Sequence, residues 1–552
     1  MKLSLAPLGW IALAGTPLSA QHLSGSFDGP APGARLGQAF DTLPDLDGDG
    51  LPELIAGYPG DDTAAEDAGR VVVFSTAEGS TLYVYDGEQA GDRIGTSVSD
   101  AGDVDADGVE DFMFGSPTAN GGNGAMWLCS GADGSLIHFQ RGLRAGEDYA
   151  LSMDRAGDVD ADGYDDYVIG VPGRREAGGT QFGHGEVWVY SGRTQARLFV
   201  IQNPTGVQIR YGTFVGWIGD VDADGHDDVF AASPEFGEWW VPGVYTIHSG
   251  LDGSLLAYEE GVDWGHGFSE NQGLGITGVG DVDGDERADY VVGFGNLWSD
   301  PHAVLYSGAT FTAIRDYPNV TVWEPLSMAG VGDTDGDGVR DLAIRQHANE
   351  VVVYSALSAA VLQRITWPSS ADAFAAAIHD VGDFDGDGLS DVAIGIPLDD
   401  EAGADAGKLA IYSANPCGPA ESYCSGAPSS AGDGAWMHHG GSSSLARNDL
   451  ELRVGGAPPG QFGLFYYAPS RIDIPFGDGR RCAGGGFFRL GLLMTGADGT
   501  AAYWLDLTAP RPPAGEITAG SVWNFQFLYR DPAGPGGTGF NASDGLAIAF
   551  CP

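Results

Sequence analysis

Apolar positions along the chain fall into short runs separated by glycine-rich and acidic turns, which is the pattern of brief β-strands rather than helices. One stretch shows the order. Ile94–Val98 predicts a first strand, Asp111–Gly115 a second and Gly124–Cys129 a third; Gly131–Gly134 is a turn, and Ser135–Gln140 a fourth strand. The same order restarts at Tyr211-Gly212, with a third strand at Gly243–His248 and a turn at Gly250–Gly253. Four short strands per unit, repeated at intervals of 50 to 62 residues, are the plan of a propeller blade. Seven such units predict an all-β, seven-bladed β-propeller over residues 21–415.

Between the first and second strand of every unit lies an acidic loop. Its second copy reads Asp103-Val104-Asp105-Ala106-Asp107-Gly108-Val109-Glu110-Asp111. Carboxylates at loop positions 1, 3 and 5 converge, position 7 offers a carbonyl, the acid at position 9 closes the shell, and glycine at position 6 permits the turn. Hard oxygens in this number suit Ca²⁺. The loop is not an EF-hand, because its last acid stands at position 9 and a strand follows it. The seven candidate sets are Asp45, Asp47, Asp49 and Glu53; Asp103, Asp105, Asp107 and Asp111; Asp158, Asp160, Asp162 and Asp166; Asp220, Asp222, Asp224 and Asp228; Asp281, Asp283, Asp285 and Asp289; Asp333, Asp335, Asp337 and Asp341; and Asp383, Asp385, Asp387 and Asp391. Up to seven Ca²⁺ are expected.

Residues 1–20 hold Lys2, an apolar run and small residues up to Ala20, the pattern of a signal peptide. No later run is long enough to span a bilayer. An exported, secreted or cell-surface protein is expected, without a membrane span. The formal net charge of −51 makes nucleic acid and anionic membranes poor partners, even after calcium binding. The seventh unit stops after three strands, while His22–Phe27 precedes the first strand of unit 1. The leftover strand is expected to close blade 7, since an unclosed blade would expose an edge. Cys129 stands where other units place Phe74, Tyr190, Tyr306, Tyr354 and Tyr412, and reads as a buried thiol.

These residues resemble the FG-GAP repeats of the integrin α-subunit N-terminal propeller and its bacterial relatives. Ile94-Gly95 and Tyr211-Gly212 match the "FG" element. Ala56-Gly57-Tyr58-Pro59, Ile169-Gly170-Val171-Pro172 and Ile394-Gly395-Ile396-Pro397 match "GAP". The resemblance spans about residues 22–415 and implies a calcium-binding propeller used in adhesion. Three departures stand out: Glu286 replaces the loop glycine of unit 5, Glu53 the position-9 aspartate of unit 1, and Ile344-Arg345-Gln346-His347 the sixth GAP. The fifth loop is the weakest expected site.

Residues 416–552 lose the Asp loops and gain Gly, Ser, Pro and aromatic residues. Strand-like runs at 449–454, 463–467, 487–494, 501–507, 521–529 and 546–550 predict an antiparallel β-sandwich. Its four cysteines, Cys417, Cys424, Cys482 and Cys551, allow three disulfide connectivities in an exported chain. The pairing expected here is Cys417 with Cys424 and Cys482 with Cys551. His438-His439 is expected in a Gly/Ser-rich loop, with no carboxylate at metal-ligand spacing. No nucleophile elbow, zincin helix or phosphate loop is present.

The end of the propeller opposite the acidic loops is aromatic in units 4 and 5: Phe236, Trp239, Trp240, Trp264, His266, Phe268 and Trp298. Clustered aromatics suit binding hot spots and sugar stacking. The reading is a monomeric, non-catalytic binding or adhesion module for an extracellular protein or carbohydrate. The alternatives are a secreted carbohydrate-active lyase or hydrolase on a propeller scaffold, and a structural envelope protein.

Overall fold

The computed structural model describes residues 23–550, except 77–78, 174–183, 205–208, 234–242, 261–270, 296–301, 318–326, 370–372, 385–388, 414–419, 433, 441–442, 444, 446–447, 449, 510 and 519. Its first part is a seven-bladed propeller of four-stranded antiparallel sheets. Blade 1 comprises Ala39–Leu43, Glu53–Tyr58, Arg70–Ser75 and Thr81–Asp86; blade 2 comprises Ser97–Gly102, Asp111–Ser116, Ala125–Cys129 and Leu136–Arg141. Blades 3 to 6 begin at Met153–Gly157, Phe214–Gly219, Asn271–Gly280 and Met328–Val331. The second strands of blades 1 to 4 are buried at every residue. Neighbouring blades cover both of their faces, so these strands are apolar without alternation.

The FG and GAP elements meet where blades touch. A side chain on Gly57 would place its Cβ 2.0 Å from the Gly95 carbonyl oxygen of the next blade; Gly170 and Gly212 stand in the same relation at 2.1 Å. Gly395 of blade 7 meets the Gly37 oxygen of blade 1 at 2.1 Å, so the contact runs across the seam of the ring. Only glycine allows this backbone approach.

Blade 7 consists of Ile378–Asp380, Val392–Ile396, Lys408–Tyr412 and, as its outermost strand, Leu23–Asp28. The last pairs antiparallel with Lys408–Tyr412, with Phe27 opposite Leu409 and Asp28 opposite Lys408. The innermost strands surround a cavity of about 1190 Å³. A polar chain runs along its wall from blade to blade: His379 Nδ1 lies 2.9 Å from Asp41 Oδ1, the Asp100 amide donates to Asp41 at 3.1 Å, and Arg155 donates to Asp100 at 3.1 Å.

After residue 419 a five-stranded sheet, ordered Glu421–Tyr423, Gly539–Ala549, Val522–Asp531, Phe462–Ala468 and Phe488–Met494, faces a three-stranded sheet of Trp436–Gly440, Glu451–Gly455 and Ala501–Trp504. Leu450, Leu452, Phe465, Phe525 and Phe527, all 0 % exposed, form the core between them. A hairpin, Ser470–Phe476 with Gly479–Gly484, covers part of the larger sheet.

Two expectations are corrected here. Cys424 is bonded to Cys482, so the pairings Cys417–Cys424 and Cys482–Cys551 do not form. The reason is spatial: Tyr423 sits on the edge strand, its hydroxyl donates to the Cys482 carbonyl at 3.1 Å, and the next residue meets the hairpin. Cys417 and Cys551 lie outside the described residues. His438 and His439 stand on a strand, not in a loop, opposite Arg453 and Leu452. Cys129 is a buried free thiol.

Candidate metal centres

Each acidic loop joins the first strand of a blade to its second, so the loops gather at one end of the ring. The turn is built from local hydrogen bonds. In blade 2, Asp103 accepts from the amides of Asp107 at 3.1 Å and Gly108 at 3.0 Å, Asp105 accepts from Asp107 at 3.1 Å, and Asp107 accepts from Val109 at 2.9 Å. Gly108 has φ +90° and Ala106 φ +57°. Position 6 is therefore left-handed, which favours glycine.

Position 9 opens the second strand and is buried. Asp111 accepts from the Val104 amide at 3.0 Å and from the Gly131 amide, in the turn between strands three and four, at 2.9 Å. Asp166, Asp228 and Asp289 repeat this pair of contacts with Val159 and Gly192, Val221 and Gly250, and Val282 and Gly308. The acid thus fastens the loop to the blade while directing negative charge at the other carboxylates.

One carboxylate oxygen each from Asp103, Asp105 and Asp111 lie within 4.8 Å of one another; so do those of Asp158, Asp160 and Asp166, and of Asp220, Asp222 and Asp228. In blade 1 all four acids, Asp45, Asp47, Asp49 and Glu53, converge in this way. The position-5 acids Asp107, Asp162 and Asp224 stand outside these three groups. Asp162 lies 3.8 Å from Arg193, and Asp224 accepts from Ser249 at 3.3 Å. In blade 5, Glu286 adopts φ +70° and its amide still donates to Asp281 at 2.9 Å, so the loop closes as the others do. In blade 6, Asp341 accepts from Thr334 and Ala356, while Asp333 accepts from Asp337 and Gly338. In blade 7, Asp383 and Asp391 are described, but Asp385 and Asp387 lie outside the described residues.

Electrostatics give the clusters their chemical meaning. Burial pushes Asp111, Asp166 and Asp228 each up to about 7; backbone amides oppose the shift and the neighbouring loop aspartates add to it. Glu53 is also raised to about 7, by burial first, and its buried Oε1 has no hydrogen-bond partner. Converging, part-buried carboxylates with an orphaned oxygen fit a hard divalent cation.

Sequence reasoning missed the ties between loops. The Asp103 amide donates to Asp165 Oδ2 at 2.8 Å, and the Asp165 amide returns a bond to the Asp103 carbonyl at 3.1 Å. The Ala288 and Ser390 amides likewise donate to the carbonyls of Asp220 and Asp333, both at 3.2 Å. Position 8 of one loop therefore contacts position 1 of the preceding loop, a relation visible only once blades are side by side. The aromatic residues Phe236, Trp239, Trp240, Trp264, His266, Phe268 and Trp298 lie outside the described residues.

The FG-GAP repeat family model matches residues 36–74. Integrin alpha pat-2 of Caenorhabditis elegans is 30 % identical over 261 residues, 42 % of this chain and 19 % of that protein. Integrin alpha-4 of Xenopus laevis is 31 % identical over 159 residues, 26 % of this chain and 15 % of that protein. Integrin alpha-V of Gallus gallus is 29 % identical over 221 residues, 39 % of this chain and 21 % of that protein. The matched regions thus cover only a small part of these curated relatives.

Proposed function

From its FG-GAP repeat and integrin-α-like propeller, we propose that this chain is an exported, calcium-loaded, monomeric binding module that acts in adhesion and carries out no chemistry. The observation that carries the reading is the convergence of loop carboxylates at one end of a closed ring. Calcium is the cation of choice because every side-chain donor is a carboxylate oxygen, the hard donor that Ca²⁺ takes in numbers. The cation would offset part of each loop's negative charge and hold neighbouring blades in register, leaving the opposite end free to recognise an extracellular protein or carbohydrate. Among the described residues no helix is long and apolar enough to cross a membrane.

The domain organisation belongs to the same proposal: a signal peptide at 1–20, the propeller at 21–415, and the sandwich at 416–552. The test is retention of the calcium-loaded full chain on immobilised extracellular proteins and polysaccharides, with released products measured in parallel. Calcium-dependent retention without product is the expected result; release of shortened sugars would overturn the non-catalytic reading.

A further inference from the structure

The layer between blades 1 and 2 is packed unlike the next layer round the ring. Between blades 2 and 3, Tyr149 and Trp188 are 0 % and 1 % exposed, with ring centroids 5.6 Å apart, and Tyr190 packs in the same cluster. In the preceding layer the corresponding positions hold Ile94, Trp127 and Cys129. The rings of Tyr149 and Tyr190 are thus replaced by Ile94 and Cys129, while Phe114 stands opposite Trp127 where Ile169 stands opposite Trp188. Tyr85, from the fourth strand of blade 1, reaches into the same cluster, its ring 4.9 Å from that of Phe114 and its hydroxyl donating to the Gly134 carbonyl at 2.6 Å. The space beside Ile94 stays open as a cavity of about 530 Å³, and Trp127 remains partly exposed.

The cavity is floored by the partly exposed Trp127 and Phe139, the outer members of an aromatic row across three strands of blade 2 whose third member, Phe114, is 1 % exposed. Phe114, Trp127 and Phe139 are cross-strand neighbours, with centroids 5.3 Å and 5.2 Å apart. Val84 and Leu136 flank it, 48 % and 56 % exposed. The rim is polar: Asp86, Glu88 and Asp92 supply acceptors, and Asn120 and Arg141 supply donors. Asp86 is held by Arg70 at 2.6 Å, Asp92 accepts from the Gln89 amide at 2.9 Å, and Arg141 lies 5.1 Å over the Phe139 ring. Asp86, Asp92 and Arg141 are therefore each positioned by a contact within the protein.

We propose that this cavity is a carbohydrate subsite that takes a neutral pyranose unit of a glycan. Its size is that of small-molecule sites, which combine an apolar lining with a few placed polar groups. A pyranose offers an apolar C–H surface to aromatic side chains and hydroxyls to carboxylates, amides and guanidinium. Three rim carboxylates, on a chain of net charge −51, oppose uronates, sulfates and phosphates. The proposal rests on the reading of the propeller as a binding module and gives that module a ligand class.

The test uses the calcium-loaded full chain titrated with neutral oligosaccharides and with uronate oligosaccharides. Neutral sugars should bind, and uronates about tenfold or more weakly. Ile94→Tyr places in this layer the residue that fills the next one, and should weaken neutral-sugar binding about tenfold or more with melting unchanged. Glu88→Arg, at an exposed rim position, gives an independent loss should Ile94→Tyr fold poorly. Undiminished binding by the folded variants would overturn the site. Failure of the native chain to bind any neutral sugar would overturn the ligand class. Calcium-dependent retention on a protein ligand in that same preparation would leave the binding-module reading standing.

Discussion

Lys408 Nζ lies 3.1 Å from Asp28 Oδ1, so a side chain of blade 7's third strand grips the strand that begins the described chain. Glu401 also contacts the amine, and Asp399 stands 4.0 Å away. The Lys408 side chain is 8 % exposed. Apart from Lys2 it is the only lysine in the sequence. Burial alone would lower its pKa, but Glu401 and Asp28 outweigh that and hold it above the ordinary value.

This pairing makes ring closure measurable at one amine. Acylation of Lys408 should be slow in the native protein. Asp28→Asn should speed it, and deletion of residues 21–28 should speed it further. The deletion should also raise amide exchange at Leu409 and Ile411, which lose ladder partners at about 1 kcal/mol per net hydrogen bond. Unchanged labelling and exchange after the deletion would contradict a closing role for this strand.

Chelation should lower the melting temperature of the propeller and leave the C-terminal sandwich nearly unchanged. Cation binding to the native state stabilises by about 2.7 kcal/mol per site at 100-fold excess over Kd. Calorimetry with calcium and with chelator reads both transitions, and identical propeller melting in the two conditions would refute cation-linked stability.

The fifth loop offers a sharper comparison. Glu286 keeps the left-handed turn at φ +70° where the corresponding residues Gly108, Gly163 and Gly225 have φ between +88° and +90°. A non-glycine residue there costs about 1 kcal/mol. Glu286→Gly should raise stability by about that amount and tighten cation binding at this loop. Asp105→Ala and Asp160→Ala should each remove about one bound ion. Asp283→Ala should matter less, and metal counting on all variants checks the ranking.

The ring could be read from the sequence because its contacts recur. Gly57 and Gly95, or Gly170 and Gly212, appear at a fixed place in unit after unit, and each pair marks one blade–blade approach. The Asp loops were equally visible, since Asp103 and Asp111 must keep their spacing to share one turn. The sandwich has no such repetition. Ser470–Phe476 shows little burial and contains Pro475, so its hairpin lacks an apolar alternation. Cys424 finds Cys482 across 58 residues because a short edge strand delivers it there. Ile94 beside Trp127 looks unremarkable until it is compared with Tyr149 beside Trp188.

The pair His379 and Asp41, in the wall of the central cavity, supplies a pH-dependent prediction. Burial would lower the pKa of His379, but the Asp41 carboxylate outweighs burial and holds it above the ordinary value. Asp154 and Asp380 act in the same direction, while Arg155 is engaged by Asp100. Burial would raise Asp41, but His379 and the Thr42 and Asp100 amides leave it lowered. A histidine raised in the folded state binds a proton that the unfolded chain releases near pH 6.5. Its contribution is complete below that pH and is lost as pH rises through the folded pKa. Asp41 acts oppositely: its contribution is present above the ordinary carboxylate pKa and fades as pH falls through its lowered one. The pair therefore stabilises the seam between blades 7 and 1 most in mildly acidic solution. With calcium saturating, the difference in melting temperature between native protein and His379→Gln should be largest near pH 6 and shrink toward pH 9. A difference that is flat across this range would show that His379 serves the seam by packing against Phe40, 4.8 Å away, rather than by its charge.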